Sequence, residues 1–266
     1  MWAAWQRNLR LYFRLQVLHL QVFMEYEADF WIGIVGAALR HSAGFVFIWA
    51  LFQSVPEVKG WSMWEIAFLY GLSVIPSGLV EVFYDGQWEL RRLINQGEFD
   101  RLLLRPLSPA LQVITQMSNV HGFGPVLLGA LVLLKAGLEL KLSWTVGQGL
   151  FLVATLLSAT LIIGSLNYIT NCMAFWDQAA TAALPLMVQN ALEFAKYPLT
   201  LYGRVMQVLV TWVLPLTFVS YFPGLVLLDK SPSPLSYAAP LAGPVMIVIT
   251  SLFWKSSLAQ YQGTGS

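Results

Sequence analysis

VGQGLFLVATLLSATLIIGSLNYITNCMAF, residues Val146–Phe175, decides the fold. It runs its whole length without an Asp, Glu, Lys or Arg, and a helix of about 20 mostly apolar residues already crosses a hydrocarbon core about 30 Å thick. The rest of the chain has the same character. Of its 266 residues 57% are hydrophobic and 11% charged, where a soluble domain carries about 25% charged residues, and the mean hydropathy is +0.64. A globule in water could not hide that much apolar surface, so soluble and disordered classes are excluded. The fold class is all-α, a polytopic membrane protein forming one transmembrane domain over residues 1–266. That length leaves no room for a separate soluble catalytic domain. The single Cys172 excludes an intramolecular disulfide framework and any CxxC metal site. A net charge of +1 gives no reason to expect nucleic acid as a partner.

Outward from this span, Phe30–Val55 is a candidate crossing interrupted by Arg40 and His41, and Met63–Tyr84 is another with Glu65 and Glu81 near its ends. A third lies within Pro109–Lys135, polar at first and apolar after Phe123, and Tyr237–Trp254 is the last. One more crossing falls between them in either of two places. Arg204–Leu228 is apolar but carries Pro215 and Pro223, whereas 178–198 is polar, with Gln189, Asn190, Glu193 and Lys196. If 178–198 crosses, then 197–228 must dip in and return as a broken, re-entrant pair of short helices, tolerated where protein buries it. Either version gives six transmembrane helices with both termini on one side. With that side cytoplasmic, ten Lys/Arg lie inside and four outside in the first version, eight and six in the second, which satisfies the positive-inside rule.

Residues 1–28 precede the first span. Met1–Met24 lacks the uninterrupted apolar run and cleavage site of a signal peptide. It fits a helix with Arg7, Arg10, Arg14 and Gln21 on one face and Trp5, Leu9, Tyr12, Leu20 and Phe23 opposite, Gln16 being the misfit. A basic amphipathic helix of this kind lies in the membrane interface, or serves as a plain positive-inside anchor.

Chemistry-bearing motifs are missing. The sequence holds no GxxxxGK[ST], HExxH or GxSxG, and His19, His41 and His121 are scattered, so neither an enzyme, a metal site nor a bound cofactor is expected. Polar groups at membrane depth are the remaining candidates. Thr160, Gly164, Asn167 and Asn171 follow one another by four, three and four residues and share one helical face. They line a substrate path or act as interhelical glue. Glu81, Asp177 and Glu193, near Phe83, Tyr84 and Trp176, either attract a cationic aromatic compound or are ordinary membrane-edge residues. The substrate-path candidates are therefore Thr160, Asn167, Asn171, Glu81 and Asp177.

The most informative loop is DGQWELRRLINQGEFDRLLLRPLSP, residues 85–109. Leu90, Leu93 and Ile94 place an amphipathic helix over Trp88–Asn95, and Gly97 ends it. Glu98 and Arg101 are spaced to pair on the next turn, with Phe99, Leu102 and Leu103 as its apolar stripe. Pro106 stops that turn, and Ser108–Pro109 opens the next helix. Such a loop is built either to dock on a cytoplasmic partner or to rest in lipid headgroups.

GEFDRLLLRPLSP at Gly97–Pro109 resembles the corresponding loop of ABC-2-type permeases. YPLTLYGRVMQVLVTWVLPLTFVSYFPG at Tyr197–Gly224 is similar to that family's proline-punctuated segment before the last span, and the terminal YQGTGS is a weaker match. The resemblance covers nearly the whole chain and implies a non-catalytic permease subunit of an ATP-driven exporter in a bacterial plasma membrane, with both termini cytoplasmic. Its partners would be membrane lipid, a second permease chain, identical or homologous, and ABC ATPase subunits that carry the ATP and Mg. By that resemblance the loop holds a coupling helix, and Glu89, Gly97, Glu98, Phe99, Asp100, Arg101, Leu103, Arg105 and Pro106 are the expected ATPase contacts. The family pattern also favours 178–198 as the fifth span, with 197–228 re-entrant. The expected cargo is hydrophobic or amphipathic: a drug or toxin, a lipid or a glycan. An ion-coupled secondary transporter would need a carboxylate deep in a span, whereas Glu65 and Glu81 lie nearer the ends. A polytopic membrane enzyme would need clustered catalytic groups.

Overall fold

The computed structural model describes residues 2–25, 27–176 and 183–261. Among them regular structure is helical, apart from one isolated bridge between Val58 and Trp61. The long helices are α1 (Trp2–Met24), α2 (Glu27–Ser54) and α3 (Met63–Tyr84). Short α4 (Leu90–Asn95), α5 (Phe99–Leu103) and α6 (Pro109–Ile114) follow, then long α7 (Phe123–Glu139) and α8 (Val146–Cys172). After α9 (Ala183–Ala191) come short α10 (Arg204–Val208), α11 (Tyr221–Leu227) and α12 (Pro234–Tyr237), and α13 (Ala239–Leu258) closes the order. Five helical stretches are long and apolar enough to cross a membrane: Glu27–Ser54, Met63–Asn95, Val120–Glu139, Val146–Phe175 and Ala239–Leu258. A sixth is possible if Arg204–Val213 and Leu216–Leu227, bent by 75°, count as one.

α3 is the central post, with α2, α7, α8 and the turn Leu192–Lys196 packed around it. Its start is fixed by a capping box, in which the Ser62 N–H donates to Glu65 (2.7 Å) and the Glu65 N–H donates to the Ser62 hydroxyl (3.4 Å). Against α7 the two backbones touch. A Cβ at Gly78 would lie 2.5 Å from the Gly122 carbonyl oxygen, and one at Gly71 would lie 2.9 Å from that of Gly129. Small residues allow such approach where apolar solvent on both sides removes the usual hydrophobic drive. α8 and α13 are joined by Ser158, whose hydroxyl donates to the Ala239 carbonyl (2.7 Å) and accepts from the Gly243 N–H (2.8 Å).

The polar half of the third expected span does not cross with the rest. Pro109–Ile114 forms α6, and the chain then turns beneath α3, where the Ser118 hydroxyl donates to the Val82 carbonyl (2.7 Å) and the Asn119 N–H to that of Glu81 (3.1 Å). α1 forms as expected, but Gln16 is buried, not a misfit on an apolar face. It lies one turn from Tyr12, whose hydroxyl donates to the Phe83 carbonyl (2.9 Å). The tethered face of α1 is thus partly polar, while Phe13 and Val17 are exposed.

The two ends of α3, about 33 Å apart for its 22 residues, identify the two ends of the bundle. Loop 85–109 folds at one end, against Phe175, Trp254 and Tyr261. At the other end Lys59 Nζ donates to the Thr200 carbonyl (3.0 Å), and Lys230 Nζ donates to the Gly60 carbonyl (2.5 Å) and to Glu65 (2.8 Å).

Candidate functional site

Loop 85–109 is a small folded unit with its own core. Leu90, Leu93 and Ile94 of α4 and Phe99 and Leu102 of α5 are buried against Val113, Tyr168, Cys172, Phe175 and Trp254. Phe99 is its keystone, fully buried, with its ring 4.9 Å from that of Tyr261, 5.3 Å from Phe175 and 6.2 Å from Trp254, each edge-on. Edge-to-face contact at these distances is the favoured aromatic geometry. Beneath it, the Gln112 side-chain amide donates to the carbonyls of Leu102 (2.9 Å) and Leu107 (3.1 Å), closing the loop on itself.

Gly97 follows α4 with φ of +70°, a conformation that costs glycine nothing. That turn brings Glu98 back beside α4, so Glu98 pairs with Arg92 (2.9 Å) and not with Arg101 as its spacing suggested. Arg92 also holds Glu89 (2.5 Å) and Gln96 (2.7 Å). These partners are exposed, so the network orders the surface more than it stabilises the fold. Asp100 accepts a hydrogen bond from the Tyr261 hydroxyl (2.8 Å). Burial, and then the Asp100 carboxylate beside it, push that hydroxyl up to about 12.

The nine expected contact residues therefore divide. Phe99 faces inward, Gly97 shapes the turn, and Glu89, Glu98 and Asp100 are partly covered and bonded within the chain. Arg101, Leu103, Arg105 and Pro106 are exposed together at the tip. Leu104, absent from the expected set, is exposed with them, with 87% of its surface open. Its signal was available, as the one leucine of the LLL run outside the expected apolar stripe.

The polar residues at membrane depth are placed differently. Thr160 and Asn171 are buried and satisfied by their own helix, donating to the carbonyls of Leu156 (2.9 Å) and Asn167 (2.9 Å). Asn167 is fully buried, and its side-chain amide has no hydrogen-bond partner among the described residues. Gly164 of the same face abuts the Tyr84 ring. Glu81 lies 3.9 Å from His41 across the α2–α3 contact, and Asp177 lies outside the described residues. Neither arrangement gathers a catalytic set, and among the described residues no group of three His, Cys, Asp or Glu is placed to hold a metal ion.

A family model described as ABC-2 family transporter protein matches residues 39–265. No curated protein and no solved structure matches the chain.

Proposed function

Since the chain belongs to the ABC-2 family of transporter proteins and is a multi-pass membrane protein, we propose that it is the permease subunit of an ATP-driven exporter. Its motor docks on the tip of loop 85–109. The observation that carries this reading is the division of that loop into a buried face and an exposed tip. A loop resting in headgroups needs no aromatic core of its own. One that receives force does, because a push on Arg101–Pro106 must reach the spans. Here the route is short: α5 carries the tip, Phe99 sits behind it, and Phe175 and Trp254 lie at the ends of the stretches that contain α8 and α13. Leu104 is the apolar anchor of the interface, and Arg101 and Arg105 its charged flank.

The same reading takes 178–198 as the fifth span and 197–228 as re-entrant. Both ends of the bent segment are tied to the end of the bundle opposite the loop, Thr200 by Lys59 and Lys230 by Gly60, whereas Phe175 packs at the loop end. A chain that leaves the loop end at Trp176 and reaches Thr200 has travelled the bundle's length. One that enters at Thr200 and is back by Lys230 has turned around, and the break at Leu214–Pro215 supplies the turn. The loop end is cytoplasmic, the membrane is a bacterial plasma membrane, and a second permease chain completes the path. The cargo is hydrophobic or amphipathic.

Co-expression with an ABC ATPase subunit tests the docking. Leu104→Asp and Arg105→Glu should each reduce ATPase capture about tenfold or more, with membrane insertion and thermal stability unchanged because neither side chain is packed. Normal capture by both variants would sink the tip as the docking site. If the purified chain alone, in vesicles, moved a solute on a proton gradient, the ATP-driven reading would be wrong.

A further inference from the structure

A cavity of about 340 Å³ opens on the loop end of the bundle, between the tail of loop 85–109, α8 and α13. This lies within the usual range of about 300–1,000 Å³ for ligand pockets. It has two chemically distinct parts. Its apolar walls are Gly164 and Ile247 of the spans, with Tyr84 at the end of α3 and Ile114 of α6 beside them. Toward the loop end it is lined by Ser108, Ser251 and Lys255.

We propose that this crevice holds one anionic phospholipid, its phosphate at Lys255 and Ser108 and an acyl chain along Tyr84, Gly164 and Ile247. Three observations carry this. Lys255 is the one charged residue lining the cavity, no carboxylate faces it, and no ion pair engages it among the described residues. Its ammonium is therefore left for an anion supplied from outside the chain. Ser165 lines the same cavity, only 1% exposed, and its hydroxyl has no hydrogen-bond partner among the described residues. A buried hydroxyl left open is costly, about 1–3 kcal/mol, unless a ligand or water meets it, and the ester carbonyl between phosphate and acyl chain is the acceptor the lipid offers. The polarity gradient, with charge and hydroxyls at one end and hydrocarbon at the other, is that of a membrane amphiphile lying along its own leaflet. A small soluble anion would have no use for the apolar half.

The position adds a consequence. Trp254 and Tyr168 line the cavity and also belong to the core that seats Phe99, so a lipid here touches the back of the docking unit. A bound headgroup would brace the contact between the loop and α13.

The test uses the full chain purified in mild detergent and exposed to phosphatidylglycerol or phosphatidylcholine, with retained lipid read by native mass spectrometry. One phosphatidylglycerol per chain should survive, with phosphatidylcholine retained about tenfold less. Lys255→Gln should lower phosphatidylglycerol retention about tenfold, the loss expected for one charge-assisted contact. Ser165→Phe, which fills the crevice and removes the hydroxyl, should abolish retention of both lipids. Because Ser165 is buried, Gly164→Ala is a milder second variant, and thermal unfolding reports whether each remains folded. Equal retention of the two lipids, or undiminished phosphatidylglycerol on Lys255→Gln, overturns the proposal. Displacement of the lipid by millimolar inorganic phosphate would show that a free anion is the ligand, and would overturn it as well. None of these readings depends on an ATPase, so they fail or succeed apart from the export function.

Discussion

The two ends of the bundle are closed by different chemistry. The loop end is sealed by rings: Phe99, Phe175, Trp254 and Tyr261 interlock edge to face around a set of buried leucines. The opposite end has packed rings too, Trp61 on Tyr221 and Phe68 on Trp144, and is tied besides by two lysines. Lys59 reaches the Thr200 carbonyl, and Lys230 reaches Gly60 and Glu65 while lying 4.6 Å above the Trp61 ring. Packed rings resist displacement in every direction and are indifferent to salt. Lysine contacts are few, directional, partly solvated, and exchange readily with water. An end that receives force is best made stiff, which is the role the proposed docking gives to the loop end.

Breaking the stiff end should have the largest effect. Phe99→Ala removes the shared ring and leaves a cavity, and should cost about 3–5 kcal/mol of stability, measured by chemical unfolding in detergent. It should also abolish ATPase capture, because the tip loses its seat. At the other end Lys230→Ala takes the cation from Glu65, half-buried at the start of α3 and left with its capping bond from Ser62 alone, and should cost about 1–3 kcal/mol. That loss should shrink as salt rises, unlike the loss at Phe99. Tyr261→Phe removes one hydrogen bond to Asp100 but keeps the ring, for about 0.5–1.5 kcal/mol. Lys59→Met should be smallest, under about 1 kcal/mol in an exposed contact, yet it should speed amide hydrogen exchange around Thr200. If Lys230→Ala proved more damaging than Phe99→Ala, the assignment of a stiff and a yielding end would be reversed.

The loop end was the more legible of the two from sequence. The spacing of Leu90, Leu93 and Ile94, the stop at Gly97 and the restart at Phe99 were all readable, because helical period and glycine punctuation are local signals. Two details were not. Leu103 was placed on the apolar stripe, but α5 is too short to bury more than a narrow arc, which Phe99 and Leu102 fill. The partners of that arc, Phe175, Trp254 and Tyr261, come from distant chain positions that no periodicity connects. At the lysine end almost nothing was legible. Lys59 and Lys230 bind backbone carbonyls, and a carbonyl acceptor leaves no trace in the identity of its residue. The sequence does carry two local signals that went unread, the Ser62–Glu65 capping box as SMWE and the paired glycines at 71 and 78 and at 122 and 129. Among the polar candidates, the shared face of Thr160, Asn167 and Asn171 follows from spacing, but not that two of them bond inward to their own helix.

Inward and outward residues are cleanly interleaved at the loop's tip. Phe99 and Leu102 belong to the core, whereas Arg101, Leu103, Leu104, Arg105 and Pro106 are exposed. Under the proposed docking the tip can drift under selection by its partner while the seat behind it stays fixed. A handful of substitutions could readdress such a permease to a different motor, the way a connector is rekeyed without rewiring the device it serves.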